Sequence, residues 1–160
     1  MRHIISIQLE NESGALSRVA GLFSARGFNI ESLTVATTND PTLSRMTIVS
    51  VGNDDIIEQI VKQLNKLIDV VTVTDLTATE HIERELVLIK ISIDNDTQAK
   101  VDTQLDAFNA KIIDAAEEAY IVELAGKSQK INDFINAFDA DKIIEVSRTG
   151  VTGVCQKIES

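Results

Sequence analysis

The sequence predicts an α+β protein built from one six-element unit used twice in tandem. Three observations carry this. Short runs rich in Ile and Val alternate apolar with polar residues, as half-buried strands do. Between them lie stretches with apolar residues at i, i+3, i+4 and i+7, the spacing of a helix packed on one side. The order strand, helix, strand, strand, helix, strand then returns after a polar gap near Glu80.

The first strand is Ile4-Ile5-Ser6-Ile7-Gln8-Leu9. A helix follows from near Leu16, with Leu16, Val19, Ala20 and Phe23 on one face. Gly27 stops it, where a left-handed residue is favoured. Phe28 and Ile30 share one face of the next strand, whereas Leu33 and Val35 fall on the other parity, so a bulge is expected near Glu31-Ser32. Asn39-Asp40-Pro41-Thr42 reads as a turn. Leu43 to Val51 is a strand of mixed parity, expected to be covered on both faces. Gly52-Asn53-Asp54-Asp55 opens a second helix, its acids facing the positive end of the dipole. Ile57, Ile60, Val61, Leu64, Leu67 and Ile68 form that helix's stripe, and Val70 to Leu76 is a fourth strand. This order is the split βαβ, or ferredoxin-like, unit.

Residues 1–77 are thus one expected domain, 78–84 a polar linker and 85–160 a second domain of the same kind. In the second, Leu86 to Ile93 is a strand and Val101, Leu105 and Phe108 mark a helix. Lys111 to Ala115 and Ala119 to Leu124 are paired strands. Ile131, Phe134, Ile135 and Phe138 define the last helix, and Ile143 to Ser147 the last strand. The copies align Gly27-Phe28-Asn29-Ile30 with Ala110-Lys111-Ile112-Ile113, and Met46 to Gly52 with Tyr120 to Gly126.

Composition narrows the function. A 44% hydrophobic content over 160 residues supports folded cores. The net charge of −10 opposes nucleic acid or an anionic membrane as partner, since phosphates need clustered Lys and Arg. Cys155 is the single cysteine, which fits a reducing compartment. Met1-Arg2-His3 runs straight into an alternating strand rather than a leader, and no apolar run is long enough to span a membrane. A cytoplasmic location is expected. His3 and His81 lack metal-ligand spacing and read as surface or strand-end residues. No Ser/His/Asp or Cys/His set, phosphate loop or dinucleotide fingerprint is present, so the chain is not expected to be catalytic alone.

The most suggestive segment is Asn11-Glu12-Ser13-Gly14-Ala15, between the first strand and the first helix. Gly14 gives the chain freedom to turn and lets a ligand approach the backbone. The helix start that follows offers unpaired N–H groups at the positive end of its dipole, which attract a carboxylate or phosphate. Asn11 and Asn29 add amide groups without charge, a combination that suits a small zwitterion. The same residues also suit a plainer role, with Ser13 or Asn11 capping the helix and Gly14 turning the chain. In the second half Asp94-Asn95-Asp96-Thr97 replaces this loop, so the halves share an architecture but not a ligand site.

Several segments together resemble a known family. Leu9 to Val19, Gly21-Leu22-Phe23, Arg26 to Val35 and Asp40-Pro41-Thr42-Leu43-Ser44-Arg45-Met46-Thr47 are similar to the regulatory small subunits of acetolactate (acetohydroxyacid) synthase. So are Gln59-Ile60, Gln63-Leu64, Lys66-Leu67, Asp69-Val70, Asp75-Leu76, Glu83-Arg84-Glu85-Leu86 and Glu145 to Gly150. The resemblance is dense through Leu76 and sparse between Asp94 and Lys142. It implies an N-terminal ACT domain that binds the feedback inhibitor valine and pairs in a homodimer, followed by an ACT-like second domain. It also implies a separate catalytic large subunit carrying thiamin diphosphate, FAD and Mg²⁺, which the small subunit activates and renders valine-sensitive in branched-chain amino acid biosynthesis. By position, Gly14, Ala15 and Leu16 would contact the valine carboxylate through their backbone. Asn11 and Asn29 would hold its polar groups, with Ile30 nearby across the dimer. A stand-alone ACT-type amino-acid sensor acting on another enzyme is the alternative. An acylphosphatase-like enzyme would need an Arg and an Asn over a phosphate loop, and Arg18 and Arg26 are poorly placed for that.

Overall fold

The computed structural model describes residues 1–158, and Glu159 and Ser160, the last two of the stretch assigned to the second domain, lie outside the described residues. The first unit runs β1 (Arg2–Glu10), α1 (Ala15–Ala25), β2 (Ile30–Thr37), β3 (Leu43–Val51), α2 (Asp54–Leu64) and β4 (Val70–Asp75). Its strands form an antiparallel sheet in the order β2-β3-β1-β4. The two-residue period of β1 sends Ile5, Ile7 and Leu9 to one face, where they pack with Met46 and Ile48 against Ala15, Val19 and Phe23 of α1 and Ile57, Ile60 and Leu64 of α2. The opposite face carries Ile4 and Val49, buried with Leu76 and Val151. This two-sided burial explains the mixed parity of β3.

Local signals match local structure. The register of β2 against β3 shifts between Ile30 and Ser32, the bulge that the parity change requires. Gly27 has φ +69°, and the Phe28 N–H donates to the Phe23 carbonyl at 3.0 Å, closing α1 on a left-handed residue. Asn53 caps α2 by accepting from the Ile56 N–H at 2.9 Å.

The second unit repeats the plan with β5 (His81–Ser92), α3 (Gln98–Phe108), β6 (Lys111–Ala115), β7 (Ala119–Gly126), α4 (Ser128–Asn136) and β8 (Ile143–Arg148), in the sheet order β6-β7-β5-β8. Val87, Ile89 and Ile91 of β5 and Tyr120, Val122 and Leu124 of β7 pack against Val101, Leu105, Ile131, Phe134 and Phe138. Both units are therefore ferredoxin-like, as the sequence predicts. Pairing refines the alignment of the copies. Ile5 faces Ile48 and Asp75, whereas Val87 faces Leu124 and Arg148. Ile48 thus corresponds to Leu124, two residues on from the sequence alignment, a shift that preserves side-chain parity. The left-handed stop of α3 is Asn109 (φ +56°), so Gly27 corresponds to Asn109 rather than Ala110.

The unit boundaries differ from those expected. His81–Arg84 is the beginning of β5 rather than linker, and Leu76–Ala78 is a 3-10 turn. A further strand, β9 (Thr152–Cys155), pairs with β5, and the Gln156 N–H donates to the Glu80 carbonyl at 2.9 Å. Contacts divide the chain into Met1–Ile82 with the segment from Val151, and Glu83–Gly150. The tail expected in the second domain belongs to the first because Val151 is buried with Ile4, Val49 and Leu76.

Candidate functional site

The loop between β1 and α1 is held from both sides. The Glu10 N–H donates to the Asp69 carbonyl at 2.8 Å, and the Asn11 N–H to the Thr42 carbonyl at 2.7 Å. The Asn11 side-chain amide donates to the Pro41 carbonyl at 3.2 Å, which ties the loop to the β2–β3 turn. That turn is itself fixed by Asp40, whose carboxylate accepts from the Thr42 hydroxyl and N–H. The Thr42 hydroxyl bond is the main cause that holds the acid below its ordinary range. Gly14 sits at φ +84°, a conformation that L side chains rarely adopt, and stands at the N-cap of α1. No side chain caps this helix and its first turn holds no acid, so neither Ser13 nor Asn11 plays the plain capping role. Ala15 is buried in the core and Leu16 is exposed. The start of α1 is therefore a positively polarised helix end without a side-chain cap, where the Ala15 N–H donates to the Glu12 carbonyl at 3.2 Å.

Sequence reasoning missed Arg18. One helical turn beyond Gly14, its guanidinium lies over the glycine, 3.0 Å from where a Cβ at position 14 would stand. Arg18 Nε donates to the nearly buried Asp69 carboxylate at 2.5 Å and Nη2 to the Ser13 carbonyl at 3.3 Å. The hydrogen bond to Asp69 raises the Arg18 pKa. The i, i+4 spacing from Gly14 was the available signal; its partner, 51 residues away, was not legible. Engaged in this way, Arg18 shapes the loop rather than standing over a phosphate cradle.

The six candidate residues do not converge within one chain. Asn11, Gly14, Ala15 and Leu16 lie at the end of β1. Asn29 and Ile30 precede and open β2 beside Ser50, which pairs with His3 at the start of β1. The Ser50 hydroxyl donates to the Asn29 carbonyl at 2.7 Å. The two groups sit at opposite ends of α1, whose 11 residues span about 16 Å. β2 is an edge strand, so its outer side is open to pairing.

The second unit starts its first helix differently: the N-cap of α3, Thr97, also makes no side-chain cap bond, but the turn before it is locked by an acid. Before α3, the Asp94 carboxylate accepts from the N–H groups of Asp96 and Thr97 and from the Thr97 hydroxyl, each at 2.9 Å. These bonds, the Thr97 hydroxyl first, hold Asp94 below its ordinary range, with Lys142 adding to the effect. Asp94 thus locks the preceding turn and is not itself the cap, which is Thr97.

Neither histidine binds in a metal-like group, and among the described residues no cluster of three His, Cys, Asp or Glu side chains is placed to hold a metal ion. His3 is not a surface residue: it is buried on the helix-facing side of β1. His81 opens β5, with Nδ1 3.0 Å from the Thr79 carbonyl. Among the described residues, no helix is long and apolar enough to cross a membrane.

Comparison with known proteins covers both units. A family described as the AHAS small subunit-like ACT domain matches residues 5–72, and one described as the small subunit of acetolactate synthase matches 84–157. The isozyme 3 small subunits of acetolactate synthase from Salmonella typhimurium and Escherichia coli are each 53% identical over 155 residues, covering 96% of this chain and 95% of theirs. The crystal structure of the small subunit from Thermotoga maritima superposes with a TM-score of 0.90 at 38% identity, covering 99% of both chains.

Proposed function

Because this chain belongs to the family of acetolactate synthase small subunits, we propose that it is the regulatory subunit of that enzyme, activating a catalytic large subunit and conferring feedback inhibition by valine. In this reading it works in the cytoplasm, and the thiamin diphosphate, FAD and Mg²⁺ of the reaction belong to the catalytic subunit. The observation that carries the valine assignment is the uncapped start of α1 behind a left-handed Gly14. A carboxylate seated there meets the Leu16 amide at the positive end of the helix, and the Ala15 amide once it gives up its 3.2 Å bond to the Glu12 carbonyl.

The separation of Asn11 and Gly14 from Asn29 and Ile30 supports a homodimer. If two β2 edges pair antiparallel about a twofold axis, the Ile30 end of one strand meets the Thr37 end of the other. Thr37 pairs with Ser44, which pairs with Leu9, so it lies at the same end of the sheet as the Gly14 loop. Each valine would then be held by the helix start and Asn11 of one copy and by Asn29 and Ile30 of its partner. Regulation follows naturally, because a ligand shared by two copies stabilises one dimer geometry over others.

The deciding experiment reconstitutes the purified chain with its catalytic subunit and titrates valine. Activation without valine, and its reversal by valine, are expected. A catalytic subunit whose rate is indifferent to the chain would overturn the subunit assignment and favour the stand-alone sensor.

A further inference from the structure

At the other end of β1 the first unit holds a second site, a cavity of about 430 Å³ whose lining includes His3, Asp54, Asp75, Ile57, Val61 and Ala78. The His3 side chain is only 5% exposed. Neither ring nitrogen has a hydrogen-bond partner. The nearest acids are Asp75, 3.4 Å from Nδ1, and Asp54, 3.5 Å from Nε2, both beyond good hydrogen-bonding distance. A buried polar group without a hydrogen bond is uncommon and needs a physical account.

The internal repeat offers a filled counterpart of this place. By strand register His3 corresponds to Glu85, since each lies two residues before the strand residue that faces the last residue of the final strand: Asp75 opposite Ile5, Arg148 opposite Val87. The first residues of the second helices, Asp54 and Ser128, complete the correspondence. In the second unit the place is closed. Glu85 is buried and receives Nε and Nη2 of Arg148 and the Ser128 hydroxyl. In the first unit the last strand contributes an aspartate where the second contributes a guanidinium. Asp54, Glu58 and Asp75 thus line the cavity together with the His3 imidazole and Met1, with no guanidinium in the place of Arg148, and Lys62 on α2 is engaged with Glu58 at 2.8 Å.

We infer that the cavity beside His3 is a binding site for a small organic cation, a primary ammonium or guanidinium carried on a compact apolar body. The cationic head takes the place that Arg148 fills in the second unit, between Asp54, Asp75 and a ring nitrogen of His3, while Ile57, Val61 and Ala78 cover the body. The site is independent of the valine reading, because it lies at the far end of β1 from Gly14, about 23 Å along the strand.

The test uses the full-length ¹⁵N-labelled chain and 3-methylbutylamine as probe, read by amide and imidazole NMR shifts. Isovalerate, with the same body and the opposite charge, and Mg²⁺, a cation with no body, are run in parallel. Saturable shifts with the amine alone are expected at Met1–Ile4, Asp54–Glu58 and Asp75–Ala78, with Asn11–Leu16 unmoved. Asp54→Asn, at an exposed carboxylate that the fold does not need, should weaken the amine about tenfold. The pair His3→Glu with Asp75→Arg transplants the second unit's internal cation and should abolish the response. Absence of saturable shifts, equal shifts with isovalerate, displacement of the amine by Mg²⁺, or an Asp54→Asn chain that binds as well as wild type would each overturn the site.

Discussion

The two units share strand order, helix placement and core pattern, yet they treat charge differently in the turn before the first helix and at the start of the first strand. Before α3 the second unit places Asp94 on its own turn amides, and at the other end it pairs Glu85 with Arg148. The first unit places a left-handed glycine before α1 and leaves both His3 ring nitrogens without a hydrogen bond. A βαββαβ unit has polarised helix ends wherever it occurs. A ligand can use them only where the chain has not already satisfied them.

The largest effect should come from making the first unit resemble the second at its loop. Gly14→Asp puts a carboxylate at the start of α1, in a conformation that L side chains rarely adopt and against the Arg18 guanidinium. Two carboxylates about 4 Å apart repel by roughly 1 kcal/mol in water and several times that near a protein surface. Valine affinity measured by calorimetry should fall at least about tenfold. Activation of the catalytic subunit should persist, since Gly14 lies outside the apolar stripe of α1. A folded Gly14→Asp chain still inhibited by valine at the wild-type concentration would show that the helix start is not the site.

Mixing variants tests whether the first unit's site spans two copies. Asn29→Ala should weaken valine binding alone, less than Gly14→Asp does. When the two variant chains are mixed and exchanged, half the dimers are hybrid, each holding one intact composite site, so about one site in four should regain wild-type affinity. No recovery in the calorimetric titration would confine the pocket to one chain.

Much of this contrast was readable in advance, and the missing parts share a cause. Gly27, the bulge after Ile30 and the cap at Asn53 are set by neighbours within a few residues, and the sequence shows them directly. The burial of His3 was implied by its parity with Ile5 and Ile7, but its polarity argued for the surface. The start of β5 at His81 was hidden because its partner strand β9 lies some seventy residues on, and the polar residues around Ile82 look like a loop without it. The split between Asn11 and Asn29 could have been computed from the length of α1. A list of matching residues says nothing about which copy each belongs to.

Two smaller effects sharpen the comparison within the second unit. Arg148→Leu removes the guanidinium paired with the buried Glu85, which should cost about 2–4 kcal/mol and lower the unfolding midpoint. Hydrogen exchange should locate the loss in Glu83–Gly150. The smallest change concerns acid. The Asp94 pKa is lowered in the folded state, so the stability it contributes is full above the ordinary carboxylate value of 3.8 and is lost as pH falls through the lower folded value. Amide exchange at the start of α3 should quicken below about pH 4. Asp94→Asn should remove that acid step, and a step that survives the substitution would assign it to another group.

The return of β9 to the first unit has a consequence for synthesis. The strand that carries Thr152–Cys155, and Val151 beside it, complete a core that begins at Ile4, while Glu83–Gly150 closes on itself. On the ribosome the second unit therefore has all of its residues before the first has its last strand, although the first is made earlier. At about 5–20 residues per second, the face that holds Ile4, Val49 and Leu76 waits several seconds for its cover. A nascent chain stalled near Gly150 would expose that apolar face to chaperones.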